Sequence, residues 1–130
     1  MGSETPSPVA GLRVLVVEDE YYIALNISGS LEDLGCDVLG PVATIEEALA
    51  IVRSERLDGV LLDANLKGVS STPVATELRA RVIPFIVVTG YGRLELEPGV
   101  LNAAPRLGKP FDVSELKKLV AATFLARRAQ

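Results

Sequence analysis

The chain has 130 residues, 48% of them hydrophobic and 23% charged, with a formal net charge of −4 and no histidine. That balance fits one globular domain with its own core, and net acidity gives no electrostatic reason to expect nucleic acid or an anionic membrane as partner. Without imidazole there is no Ser-His-Asp or Cys-His machinery, no histidine-based zinc site and no phosphohistidine relay within the chain.

Residues 1–10 are dominated by proline and small polar side chains and are expected to form a disordered tail, leaving 11–130 as the domain. The first strand-like run spans 12–17, and Leu15-Val16-Val17 leads straight into Glu18-Asp19-Glu20. Ile23, Ile27, Leu31 and Leu34 then recur at helical spacing, and Gly35 marks the helix end. Cys36, the single cysteine, excludes an internal disulfide, fits a reducing cytoplasm and reads as a small buried filler. Asp37-Val38-Leu39-Gly40-Pro41-Val42 is a weaker strand whose glycine and proline suit an edge. Thr44-Ile45-Glu46-Glu47 has the form of a capping box, followed by the stripe Ile45, Ala48, Leu49 and Val52.

The organising stretch is Val60-Leu61-Leu62-Asp63-Ala64-Asn65-Leu66, an apolar run of the kind buried on both faces that ends in a carboxylate. A buried strand has no use for a charge inside it, so Asp63 is expected at its carboxyl end. Lys67-Gly68-Val69-Ser70-Ser71 reads as a loop, and Pro73 sits in the first turn of the next helix. Phe85-Ile86-Val87-Val88 is another buried strand and runs into Thr89-Gly90. Pro98 and Gly99 interrupt residues 91–103, so a helix there is expected to be short. Pro105-Arg106-Leu107-Gly108 delivers Lys109-Pro110. Asp112 caps a last helix with Val113, Leu116, Val120 and Phe124 facing inward.

Five strands alternating with about five helices predict a doubly wound parallel α/β sheet with helices on both faces. Open sheets of this kind bind ligands at the carboxyl ends of their strands. Glu18, Asp19, Asp63, Thr89 and Lys109 would meet on that rim. Clustered carboxylates repel one another unless a cation neutralises them, and all-oxygen ligation with room for water suits Mg²⁺. Metal, ammonium and hydroxyl together suit a phosphoryl group, and Asp63 is the natural carboxylate nucleophile for it.

Taken in this order and on these elements, the residues resemble a response-regulator receiver domain of two-component signalling. The likeness rests on Glu18-Asp19 after the first strand, Asp63 after the third, Thr89 after the fourth and Lys109-Pro110-Phe111 after the fifth. It implies the flavodoxin-like strand order 2-1-3-4-5. It implies that Asp63 accepts phosphoryl from a histidine kinase or phosphotransfer protein, the domain supporting only its own Mg²⁺-dependent phosphorylation and dephosphorylation. Asp19, Asp63 and the main-chain carbonyl of Asn65 would bind Mg²⁺ directly, with Glu18 acting through a metal-bound water. Thr89 would bond the phosphoryl oxygen, Lys109 would pair with it, and the Lys109-Pro110 bond would be cis. Asn65 would also tune access of water to the acyl phosphate.

Pro84-Phe85-Ile86-Val87-Val88-Thr89-Gly90-Tyr91-Gly92 is similar to the motif of the FAT GUY receivers. Those are mainly single-domain alphaproteobacterial regulators linked to kinases of the HWE or related type, and the chain end at Gln130 agrees. Most receivers carry Tyr or Phe three residues before the lysine; here that position is Arg106. Tyr91, the aromatic nearest Thr89 in sequence, is therefore expected to report phosphorylation. The expected role is cytoplasmic, through contacts with an unknown downstream protein or as a phosphate sink. Three alternatives stand beside it. An aspartyl phosphohydrolase would want an acid where Asn65 stands, a flavodoxin-type module would want a Ser/Thr-rich loop in place of Glu18-Asp19, and a pseudo-receiver would not need the intact set.

Overall fold

A computed structural model describes residues 7–90 and 99–128. Its central sheet has five parallel strands: β1 (Arg13–Val17), β2 (Asp37–Val42), β3 (Gly59–Asp63), β4 (Phe85–Thr89) and β5 (Arg106–Gly108), in the order 2-1-3-4-5. Among the described residues the helices are α1 (Tyr21–Asp33), α2 (Ile45–Ser54), α3 (Thr72–Ala80) and α4 (Val113–Arg128), with a 3-10 turn at Val100–Ala103. The strand order is the one expected. Of the five helices expected, four are present; the stretch expected to hold the other, 91–103, lies outside the described residues at 91–98 and is the 3-10 turn at Val100–Ala103.

Every residue of β3 and β4 is buried, as continuous apolar runs require when helices cover both faces. Alternate strand residues point to opposite faces and build two cores. Leu15, Val60, Leu62 and Val87 pack with Ala48 and Val52 of α2 and with Val74 and Leu78 of α3. Val14, Val16, Leu61 and Ile86 pack on the other side with Ile27 and Leu31 of α1 and with Leu116, Val120 and Phe124 of α4. Val113 departs from the expected inward stripe. It lies in the first turn of α4, beside the capping residue, and is exposed.

The local signals act as their chemistry predicts. Thr44 Oγ1 accepts the Glu47 amide at 3.1 Å, and Glu47 reaches back to the amide of Ala43. Asp112 and Glu115 form the reciprocal pair at the start of α4, at 2.8 and 3.2 Å. Gly35, at φ 85°, closes α1 as the amides of Gly35 and Cys36 donate to Glu32 and Leu31. The edge strand β2 carries Gly40 at φ 87°, where a Cβ would lie 2.8 Å from the Val16 carbonyl, followed by a cis bond to Pro41.

Two sequence expectations need correction. The tail does not extend to residue 10: Val9 is 1% exposed and belongs to the core beneath α1 and α4. Its carbonyl accepts the Leu12 amide, and Gly11 donates to the Gly35 carbonyl, so a turn over 7–11 ties this segment down. The loop after β3 is a small hairpin, Asn65–Leu66 against Val69–Ser70. Lys67 (φ 53°) and Gly68 (φ 86°) give it the two left-handed residues that a tight two-residue connection needs.

Two positions test the packing. A Cβ on Gly59 would lie 2.6 Å from the Phe124 ring, so Gly59→Ala is expected to destabilise the fold by about 1–3 kcal/mol in urea unfolding. Val82 ends α3 in the left-handed region at φ 58°, its amide and that of Ile83 donating to Arg79 and Leu78. A β-branched residue is strained there, so Val82→Gly is expected to stabilise by about 0.5–1 kcal/mol despite the added chain entropy.

Candidate functional site

The rim is set by strand register. Val17 lies beside Leu62, Asp63 beside Val88, and Thr89 beside Gly108. The chain therefore leaves β1, β3, β4 and β5 at nearly one level, which delivers Glu18, Asp63, Thr89 and Lys109 to the same edge. Main-chain bonds hold it: Glu18 N–H donates to Val42, Ala64 N–H to Val88, and Lys109 N–H to Thr89, at 2.8–2.9 Å. The Lys109–Pro110 bond is cis.

Asp63 is 4% exposed and Glu18 3%, so two acids are buried side by side. The Lys109 ammonium lies 3.2 Å from Asp63 Oδ2, 3.1 Å from Glu18 Oε2 and 2.6 Å from Glu20 Oε1. Asp63 Oδ1 accepts the Asn65 amide at 3.1 Å, while the Asn65 side chain accepts the Gly68 amide at 2.6 Å and braces the hairpin. Thr89 is buried at the end of β4, where its carbonyl accepts the Lys109 amide.

Burial drives the Asp63 carboxyl up from 3.8 to about 8, with Glu18 adding to the rise; the Asn65 amide and Lys109 oppose it. Burial acts to lower Lys109, but the bond to Glu20 and the charges of Asp63 and Glu18 outweigh it and hold the ammonium above its ordinary value.

Among the described residues, the acidic oxygens that converge are those of Glu18, Glu20 and Asp63, all within 4.8 Å of one another. Asp19 is not in that group and Glu20, absent from the expected set, is. The signal for Glu20 is its place in the run Glu18-Asp19-Glu20; which of three successive acids turns inward depends on how the chain enters α1. Arg106 lies on the exposed edge of β5, and Tyr91 falls outside the described residues.

The donor set fits a divalent cation. Three carboxylates and one ammonium leave two formal negative charges, and Glu18 Oε1 is buried with no hydrogen-bond partner among the described residues. A hard cation is what an all-oxygen pocket with an orphaned carboxylate oxygen accommodates.

The family model of the response regulator receiver domain matches residues 14–121. The chain belongs to that family. It is 30% identical over 112 residues to sporulation initiation phosphotransferase F of Bacillus subtilis, covering 83% of this chain and 90% of that protein. Among solved structures, SdrG from Sphingomonas melonis Fr1 is 38% identical with a TM-score of 0.77, covering 89% of this chain and 97% of that one. The receiver domain of the sensor histidine kinase PA1611 from Pseudomonas aeruginosa, solved with a magnesium ion coordinated in its active-site cleft, is 27% identical with a TM-score of 0.76, covering 90% and 99%. The chain spans about half the length (52%) of the transcriptional regulatory proteins it also matches. Among the described residues no helix is long and apolar enough to cross a membrane.

The raised Asp63 value has a consequence for stability. Between pH 3.8 and about 8 the folded chain binds more protons than the unfolded one, so Asp63 makes stability fall as pH rises through that window. In metal-free protein at pH 8, Asp63→Asn is expected to raise unfolding stability by about 1–2 kcal/mol and to flatten that decline. Calorimetry across the pH range checks it, and an unchanged slope in the variant would assign the proton to another group.

Proposed function

We propose that this receiver takes a phosphoryl group on Asp63 from a histidine kinase or a phosphotransfer protein. The observation that carries the reading is the convergence of a buried strand-end aspartate, an ammonium 3.2 Å away and a strand-end threonine on one rim. In the transfer, a carboxylate oxygen of Asp63 attacks phosphorus, an O–P bond forms and the donor's bond to phosphorus breaks. Lys109 follows the new charge from the carboxylate to a phosphoryl oxygen, and the Thr89 hydroxyl donates to another. The Asn65 amide on Oδ1 keeps the attacking group oriented.

The residues to hold Mg²⁺ are Asp63, Glu18 and Asp19, with the carbonyl of Asn65. Asp19 rests on the family resemblance, and Glu18 and Asp63 on the cluster geometry. When bound, the ion supplies positive charge that returns Asp63 to the carboxylate form and offsets charge on the phosphoryl oxygens. Asn65, at the mouth of the site, would tune the access of the water that removes the phosphoryl group. The kinase is of the HWE or a related type and the chain is a FAT GUY receiver; the motif from Pro84 to Gly92 supports both statements. A cytoplasmic site of action belongs to this reading, as does output through protein contacts or service as a phosphate sink.

Intact mass after incubation with acetyl phosphate and Mg²⁺ tests it. One added phosphoryl group is expected on the native chain and none on Asp63→Asn or in a metal-free control. Phosphorylation of the Asp63→Asn chain to the native extent would remove Asp63 from the role.

A further inference from the structure

Glu20 stands at the N-cap of α1, the position where a side chain usually accepts an early helix amide. Among the described residues its carboxylate makes no such bond. It turns instead to Lys109, at 2.6 Å the shortest of the three contacts the ammonium makes. Lysine has three N–H donors, and here Glu18, Glu20 and Asp63 supply one acceptor each. The Lys109 side chain is 11% exposed and that of Glu20 59%, so Glu20 closes the cluster from the solvent side. Glu18 Oε2 is further occupied by the Glu20 amide at 3.1 Å, which leaves Glu18 Oε1 buried and unpartnered among the described residues. The ammonium thus sits on the same Glu18 and Asp63 carboxylates that would meet a divalent cation.

We propose that Glu20 is a positioning residue: it tethers Lys109 between Glu18 and Asp63, so that the ammonium competes with the divalent cation for those carboxylates. The inference rests on the cation reading of the acidic cluster. Before phosphorylation the tether keeps two buried acids compensated without metal. Cation binding then has to move the ammonium off Glu18 and Asp63 at the cost of its bond to Glu20. Glu20 acts through Lys109 and need touch neither metal nor phosphoryl group.

A double-mutant cycle separates this tether from the general attraction of Glu20 for cations. Mg²⁺ affinity is measured by calorimetry on the native chain, Glu20→Gln, Lys109→Met and the double variant. In the Lys109→Met background Glu20→Gln removes only attraction and weakens binding. In the native background it also frees the carboxylates from the ammonium, so the loss is expected to be smaller by about threefold or more, or reversed. The second readout needs no metal: the Lys109 Nζ signal in ¹⁵N NMR, protected in the native chain, is expected to broaden into solvent exchange in Glu20→Gln. Equal effects of Glu20→Gln in both backgrounds, or an unaltered Nζ signal, would overturn the tether. Absence of Mg²⁺ binding in native and Lys109→Met protein alike would overturn the cation reading and the competition with it, while the Nζ signal still reports whether Glu20 holds Lys109.

Discussion

One lysine among three carboxylates organises the functional end of this molecule. Glu18 and Asp63 are buried at the ends of neighbouring strands, and two buried carboxylates in contact repel each other unless a positive charge intervenes. Lys109 provides it. Breaking such a cluster by removing its cation leaves uncompensated buried charge, a loss of about 3–5 kcal/mol where partners are well enclosed. The cluster therefore constrains where β5 must end as strictly as the core constrains where β5 must lie.

That constraint is met by register. The strands are parallel and leave the sheet at one level, so residues 46 and 91 positions apart in the chain reach a single rim, as the Lys109 contacts to Asp63 and Glu18 record. The buried runs of β3 and β4 fix this rim from below, because a shift of one residue would turn Leu61 and Leu62 to the wrong cores. The hairpin after β3 fixes it from above, through the Asn65 and Ser71 amides bonded to Asp63 and Ala64. Packing and chemistry share the same backbone hydrogen bonds.

The weakened acidity of Asp63 and the chemistry proposed for it have one origin. Burial that makes the carboxylate costly also removes competing water from an acyl phosphate, and compensating positive charge restores the nucleophile. Protein groups alone do not satisfy the buried Glu18, one oxygen of which has no partner among the described residues.

Much of this was legible in the residues themselves. The apolar runs ending in Asp63 and Thr89, the capping box at Thr44, the αL glycine at Gly35 and the lysine before Pro110 are local signals, each readable from a few adjacent residues. The parallel sheet followed from alternation, and the strand order from the family likeness. Four features were decided only by tertiary structure. Val9 is drawn into the core because α1 and α4 leave space beneath them, which proline-rich flanking sequence conceals. Val113 is exposed because its place in the first turn of α4 overrides its hydrophobicity. Val82 accepts a left-handed conformation that its side chain opposes, because Ile83 must reach the core directly after α3 ends. And among Glu18, Asp19 and Glu20, composition alone makes the acids equivalent; it is the turn from β1 into α1 that sends Glu20, and not Asp19, to Lys109.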